Sequence, residues 1–403
     1  MKKIARNVIA SILGRQVRRL CAKNDIKVIG VVGSIGKTST KLAIAQVLSQ
    51  GFKVRYQEGN YNDLVTVPLV FFGEELPSLF NPLAWAKTLA RNTKQLRSKY
   101  PYDVVVIELG SDGPGQIAGF KKYLKLEIAV VTAITPEHMQ NFASLDAVAQ
   151  EELAVKDFSS LVLINKDLTD GKYIKDIQQV LTYGLKTKAD YDFDVLSLPV
   201  PVASLAEQYS SLAAAAVAVK MGLRNEAIAS GLGDIKPYAG RMRRLMGVKD
   251  SVIIDDSYNA SPAAMKLALD ELYATKAPQK IALLGNMNEL GDYAKQAHEE
   301  IGNYCDPKQL DIVVTLGPES NEYLWPAAKA KGCVVKSFNT PYDAGDYIKS
   351  ELKPGAAVLI KGSQNNVFAE EAIKSLLANK DDESKLVRQS PQWMKIKKVA
   401  FNR

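Results

Sequence analysis

The segment Gly33-Ser34-Ile35-Gly36-Lys37-Thr38-Ser39-Thr40 holds the residue types that grip a nucleotide by its phosphates. Glycines let backbone N–H groups curl around anionic oxygens, and the start of a following helix adds partial positive charge. The Lys37 ammonium would neutralise the outer phosphates, and the Thr38 hydroxyl would offer a ligand to Mg2+. A standard phosphate loop has a further glycine four intervening residues before Gly36, where this chain has Val31, so the loop is a variant. The bland alternative is a glycine turn that merely precedes a lysine; the apolar strand before it and the helix after it favour nucleotide binding. Reaction type stays open, because kinases, GTPases, motors and ligases share such loops. Two further side chains are candidates for metal chemistry. Glu108 closes an apolar strand, and His138 is one of only two histidines. Alone, each reads equally as a structural group.

Alternating strands and helices must position these residues. An apolar strand, Val28 to Val32, leads into the loop, and a helix starts near Lys37. Apolar runs follow at Val104 to Ile107, Ile128 to Val131 and Leu161 to Ile164, each trailed by a loop and a helical stretch. An alanine-rich helix, Leu212 to Val219, closes the region, and Gly233, Pro237 and Gly240 mark a hinge. A second series at Val252 to Ile254, Ile281 to Leu284, Ile312 to Leu316 and Val358 to Ile360 reads as a smaller doubly wound domain. The expected fold is α/β: a P-loop ATPase domain with a mostly parallel sheet over 27–235, and a smaller Rossmann-like domain over 236–403. Residues 1–26 read as a basic amphipathic helix with Ile4, Val8, Ile12 and Val17 or Leu20 on one side. It suits either docking on the next domain or a peripheral contact with an anionic membrane surface. The charged tail from Lys380, with Trp393 among lysines, is expected to pack loosely.

The 403 residues, 47% hydrophobic and 24% charged, suit two or three folded domains and argue against extended disorder. No apolar run reaches the roughly 18 residues of a membrane span, and no signal-peptide core is visible, so a cytoplasmic location is expected; a monomer is the separate expectation for oligomeric state. Cys21, Cys305 and Cys333 follow no disulfide or zinc spacing. The net charge of +8 suits an anionic partner without choosing one, and no nucleic-acid recognition module is visible.

Further segments narrow the reading. Asn60-Tyr61-Asn62-Asp63 with Val67-Pro68-Leu69, Glu108-Leu109-Gly110 with Pro114-Gly115-Gln116-Ile117, and Ile134-Thr135-Pro136-Glu137-His138 with Phe142 and Ser144-Leu145 follow the loop in order. Asn165-Lys166-Asp167, Gly240-Arg241 and Asp255-Asp256-Ser257-Tyr258-Asn259-Ala260-Ser261-Pro262 come next. Leu284-Gly285-Asn286-Met287-Asn288-Glu289-Leu290-Gly291 with His298, and Lys361-Gly362-Ser363, complete the series. Together they resemble, from about Val28 to Asn366, the motifs of the Mur ligase family, and most closely its D-alanyl-D-alanine-adding branch.

That resemblance implies an ATP- and Mg2+-dependent ligase. A carboxylate, a poor electrophile near neutral pH, would take the terminal phosphoryl group of ATP, and an amine would then displace phosphate from the acyl phosphate. The implied substrates are UDP-N-acetylmuramoyl-tripeptide and D-alanyl-D-alanine. By resemblance, Gly33 to Ser39 hold the phosphates, Thr38 and Glu108 hold the nucleotide's Mg2+, and His138 helps hold a second ion. Arg241 reaches the phosphates and Asp256 the ribose; both lie past the hinge, so domain closure would complete the site. Asn60, Asn62, Tyr258 and Asn259 fall on the substrate side. Asn286, His298, Lys361 and Ser363 bound the amine-donor pocket or serve structure alone.

The pattern breaks in places. Where the family carries a carbamylated lysine this chain has Glu152, expected to supply the negative charge directly, with Lys156 as the alternative modified lysine. Ser210 stands at the asparagine that contacts adenine, Asn286 replaces an aspartate, and Gln364 an arginine. Only 26 residues precede the first strand, where the family's peptidoglycan ligases carry a domain for UDP. The expectation is therefore that the nucleotide-sugar is gripped by the remaining domains or that the carboxylate differs. Competing readings are a polyglutamate-type or other amino-acid ligase, a non-catalytic nucleotide-binding regulator, and a basic NTPase that binds nucleic acid.

Overall fold

The computed structural model describes residues 2–57, 59, 61–201 and 203–401. The chain forms two compact units, one of residues 1–135, 141–203 and 207–235, the other of residues 136–140, 204–206 and 236–403. The short piece 136–140, which carries His138, thus belongs to the second unit although its sequence neighbours belong to the first.

The first unit is built on β1 (Lys27–Val32), β2 (Val54–Arg55), β3 (Val104–Glu108), β4 (Leu126–Val131), β5 (Ser159–Asn165) and β6 (Val180–Tyr183). They form one sheet in the order β2-β3-β1-β4-β5-β6, every pair parallel. The four expected strands lie inside β1, β3, β4 and β5, which are apolar on both faces because helices cover a parallel sheet on both sides. The edges β2 and β6 escaped the sequence reading. They are short and half-buried, so no long apolar run marks them.

Strand order places the chemistry. The chain leaves β1 between its neighbours β3 and β4, the point in a doubly wound sheet where a crevice opens at the strands' carboxyl ends. Register sets Glu108 opposite Val31 on one side and Val131 opposite Val32 on the other. Helix α2 (Lys37–Leu48) then starts directly after the glycine turn.

Helix α1 (Lys2–Lys23) docks on the first unit, against α3 (Thr66–Phe72) and α4 (Pro82–Gln95). Its buried stripe is Leu13, Val17 and Leu20, all fully covered, whereas Val8 is 54% exposed. Of the expected face, Val17 and Leu20 are buried and Ile12 is half-buried, Val8 is corrected to the exposed side, and the Ile4 side chain lies outside those described. Helix α4 covers the C-terminal half, where Gln16 Nε2 donates to Leu89 O at 3.0 Å and Thr93 Oγ1 at 3.1 Å.

The second unit holds β7 (Arg243–Met246), β8 (Val252–Asp256), β9 (Lys280–Gly285), β10 (Ile312–Leu316), β11 (Val335–Phe338) and β12 (Ala357–Lys361). The order is β11-β10-β9-β12-β8-β7, parallel except for β7, with an apolar core on each face. The sequence reading found the four central strands and missed the edges β7 and β11, which bury few residues.

The C-terminal tail does not pack loosely. Lys397, in the helix Pro391–Ala400, is fully buried and lies 2.9 Å from Glu370 Oε1 and 2.7 Å from Glu371 Oε1. Phe368 meets the rings of Trp393 and Phe401 edge-on. Charge in that tail is what buries it, because two interior carboxylates require a cation.

Candidate active site

The phosphate loop is held open by its backbone. Gly33 sits at φ +121°, and a Cβ there would lie 2.4 Å from Thr132 Oγ1 and 2.8 Å from Ala133 N, so only glycine passes. Gly36, at φ +80°, caps α2 without a side-chain hydrogen bond, which leaves the helix start to bind an anion. Ser34 Oγ donates to Thr135 O at 2.8 Å and accepts from Thr135 N at 2.9 Å, while Thr132 Oγ1 donates to Ile35 O at 2.6 Å. Lys37 Nζ folds back on Gly33 O at 2.5 Å. Ile35 and Ser39 are half-buried beside it. Thr40 Oγ1 donates to Ser210 Oγ at 3.3 Å, so Ser210 lies against the back of α2.

Two carboxylates meet this loop in different ways. Thr38 Oγ1 donates to Glu108 Oε2 at 2.9 Å, bringing together the pair expected to hold a metal. Glu152, 4% exposed, accepts from the Gly33 amide at 2.7 Å and so braces the loop. Its neighbour Glu151 accepts from Gly115 N at 2.5 Å and Ile117 N at 2.6 Å. Lys156 is exposed in the helical turn Leu153–Phe158 and forms no part of these contacts.

The sequence reading missed Lys41. It is 2% exposed, its Nζ lies 3.5 Å from Glu108 Oε2, and it donates to Gly59 O at 3.3 Å. The available signal was spacing: Lys41 follows Lys37 by one helical turn and shares its face. Half-buried Asn62 accepts through its backbone carbonyl from Gly110 N at 2.8 Å; Asn60 lies outside the described residues.

In the second unit, His138 Nδ1 lies 2.8 Å from Glu289 Oε2, both residues at positive φ. This hydrogen bond holds the Glu289 carboxyl below its ordinary range. Glu289 stood inside a quoted motif without a role. Among the described residues, no group of three or more His, Cys, Asp or Glu side chains gathers at one metal-sized point. Thr38 and Glu108 are brought together; Glu152 is turned to Gly33 and His138 to Glu289.

Arg241 lies over the Tyr258 ring, its guanidinium carbon 4.2 Å from the centroid. Asp256 Oδ1 accepts from Met242 N at 3.2 Å, and Oδ2 meets Lys361 Nζ at 2.5 Å; the register of β12 on β8 sets that pair opposite each other. Lys361 also donates to Asn259 O at 2.9 Å. Beneath them, Asp255 accepts from Gly240 N, Ser257 N and Ser257 Oγ, and burial pushes its carboxyl up to about 6. Arg388, outside every motif, donates to Tyr258 O at 3.0 Å and Ser257 O at 2.7 Å while pairing with Glu370.

The residues expected around an amine-donor pocket mostly brace loops. His298 is fully buried, accepting from Met287 N at 3.0 Å and facing Ala294 O at 2.7 Å, and burial lowers its pKa. Asn286 Oδ1 accepts from Ser320 N at 2.9 Å, and Ser363 Oγ accepts from Asn288 N at 2.9 Å.

Two family descriptions match this chain: "Mur ligase middle domain" over residues 31–198, and "Mur ligase, glutamate ligase domain" over residues 240–364. A UDP-N-acetylmuramoyl-tripeptide–D-alanyl-D-alanine ligase of Synechocystis sp. is 31% identical over 369 residues, covering 88% of this chain and 75% of that protein. The Bacillus subtilis protein of the same name is 27% identical over 380 residues, covering 87% and 76%. The crystal structure of MurF ligase from Thermotoga maritima in complex with ADP superimposes with a TM-score of 0.74 at 22% identity, covering 93% of this chain and 84% of that one. With the phosphate loop, the Glu108 strand end and the Gly240-Arg241 turn in place, the chain belongs to the Mur ligase family of ATP-dependent ligases.

Proposed function

We propose that this chain joins D-alanyl-D-alanine to UDP-N-acetylmuramoyl-tripeptide, consuming ATP and releasing ADP and phosphate. The observation that carries the reading is the Thr38–Glu108 pair at the head of α2, beside a glycine loop whose side-chain cap is absent. The named activity of the Synechocystis and Bacillus relatives supports the choice of substrates.

The chemistry needs fixed positive charge where three anionic groups meet. Lys37 and the amides at the start of α2 serve the phosphates of ATP. The substrate carboxylate forms a bond to the terminal phosphorus as ADP leaves. The amine of D-alanyl-D-alanine then forms the amide bond as inorganic phosphate leaves, and a proton passes from nitrogen to solvent or a basic side chain. Thr38 and Glu108 are hard oxygen donors of the kind Mg2+ takes, and they would hold that ion at the phosphates. That ion would neutralise charge on the phosphates. Arg241, held over Tyr258, is the second unit's anion-binding group.

The test is phosphate release from ATP with each substrate alone and with both, together with mass spectrometry of the product. Release that requires both, with a pentapeptide product, is expected. A functional nucleotide site with no turnover on this pair, but turnover on another carboxylate and amine, would overturn the substrate assignment.

A further inference from the structure

We propose that the face formed by α1 and the segment leading into α4 docks the protein on an anionic lipid bilayer. Charge is the first observation. Residues 1–24 carry seven Lys and Arg and residues 76–102 carry five, with no Asp or Glu in either stretch. The remainder of the chain then has 40 basic against 44 acidic residues, so the excess positive charge is concentrated in these two segments.

The structure brings the segments together. Gln16 bonds to Leu89 O and Thr93, and Lys23 Nζ donates to Leu96 O at 3.1 Å, so the helices run side by side in the same direction. Leu13 and Trp85 are buried between their N-terminal halves, with Ile9 packed against them. At that end, apolar side chains face water: Phe80 and Leu83 are each 74% exposed, Leu76 49% and Leu79 42%. Exposed Arg15, Arg18, Lys87 and Lys94 lie further along the same two helices.

Arg6 and Arg91 are paired with Asp63 and Glu74; the other cations behind the apolar tip suit a headgroup–acyl boundary, where apolar side chains enter and long basic ones meet phosphate. The apolar stripe of α1 itself is spent on docking, so insertion falls to the 76–83 segment. A protein partner fits less well, because such interfaces are depleted in lysine. No helix among the described residues is long and apolar enough to cross a membrane, so the contact is peripheral.

The experiment is co-sedimentation of the full chain with vesicles of phosphatidylglycerol and phosphatidylcholine in equal parts, and with phosphatidylcholine alone. Binding is expected only with phosphatidylglycerol. It should weaken about tenfold in high salt and about tenfold in the double variant Phe80→Ser/Leu83→Ser. ATP turnover of that variant in solution should be unchanged, which separates this result from any failure of the ligase assignment. No binding to the anionic vesicles, or binding indifferent to the double substitution, would overturn the proposal. So would a concentration-dependent dimer lost in the variant without vesicle binding, which would assign the patch to a second copy of the chain.

Discussion

The backbone amide of Gly33 donates to Glu152 Oε2 at 2.7 Å, joining the first glycine of the phosphate loop to a carboxylate 119 residues away. A buried acid beside a phosphate site looks unfavourable until its partner is counted. An amide left unmatched there would cost about 1–3 kcal/mol.

Glu152→Ala should therefore weaken binding of a non-hydrolysable ATP analogue by about tenfold, and Glu152→Gln should restore affinity, since its amide oxygen can accept the same bond. If Glu152 also supplies charge to a second Mg2+, the Gln variant keeps affinity but loses turnover. Titration calorimetry and steady-state rates across Mg2+ concentration separate the two roles. Full activity with unchanged Mg2+ dependence would remove Glu152 from the metal set.

Lys41 and Thr38 meet the same oxygen, Glu108 Oε2, so Lys41 helps to position that carboxylate. Lys41→Met should lower kcat/KM for ATP by about 10- to 100-fold, the usual effect of losing a group that orients a ligand. A variant with native kcat/KM would reduce Lys41 to a structural ion pair.

Lys397 bridges Glu370 and Glu371 in the interior of the second unit. Lys397→Met removes the buried cation that Glu370 and Glu371 share, leaving Arg388 on Glu370 and Lys374, 2.9 Å from Glu371 Oε2, and should cost about 3 kcal/mol. Urea denaturation of the full chain reads this directly. A loss below about 1 kcal/mol would mean that Lys374 and Arg388 suffice.

Asp255 gives the pH dependence its sign. Burial raises its folded value to about 6, above that of the unfolded chain, so the folded state holds the proton longer. Its contribution to stability is greatest at low pH and declines as pH rises toward about 6, by on the order of 3 kcal/mol. Asp255→Asn cannot titrate, so the difference in stability between wild type and variant should change across that window. A pH-independent difference would show that the three hydrogen bonds to Asp255 outweigh its burial.

Local sequence determined the parts whose physics is local. The apolar runs of β1, β3, β4 and β5, the glycine turn and the start of α2 follow from residues adjacent in the chain, and so did the phosphate site. Short edge strands were illegible because half-buried residues carry no long apolar run. Partner choice lies beyond any local pattern. Only tertiary structure decided that Lys41 faces Glu108, that His138 meets Glu289, and that Arg388 reaches the Tyr258 turn from the far end of the chain. The reason is the same in each case: a charged side chain reads as solvated until packing removes the water around it, and only then does its partner become obligatory.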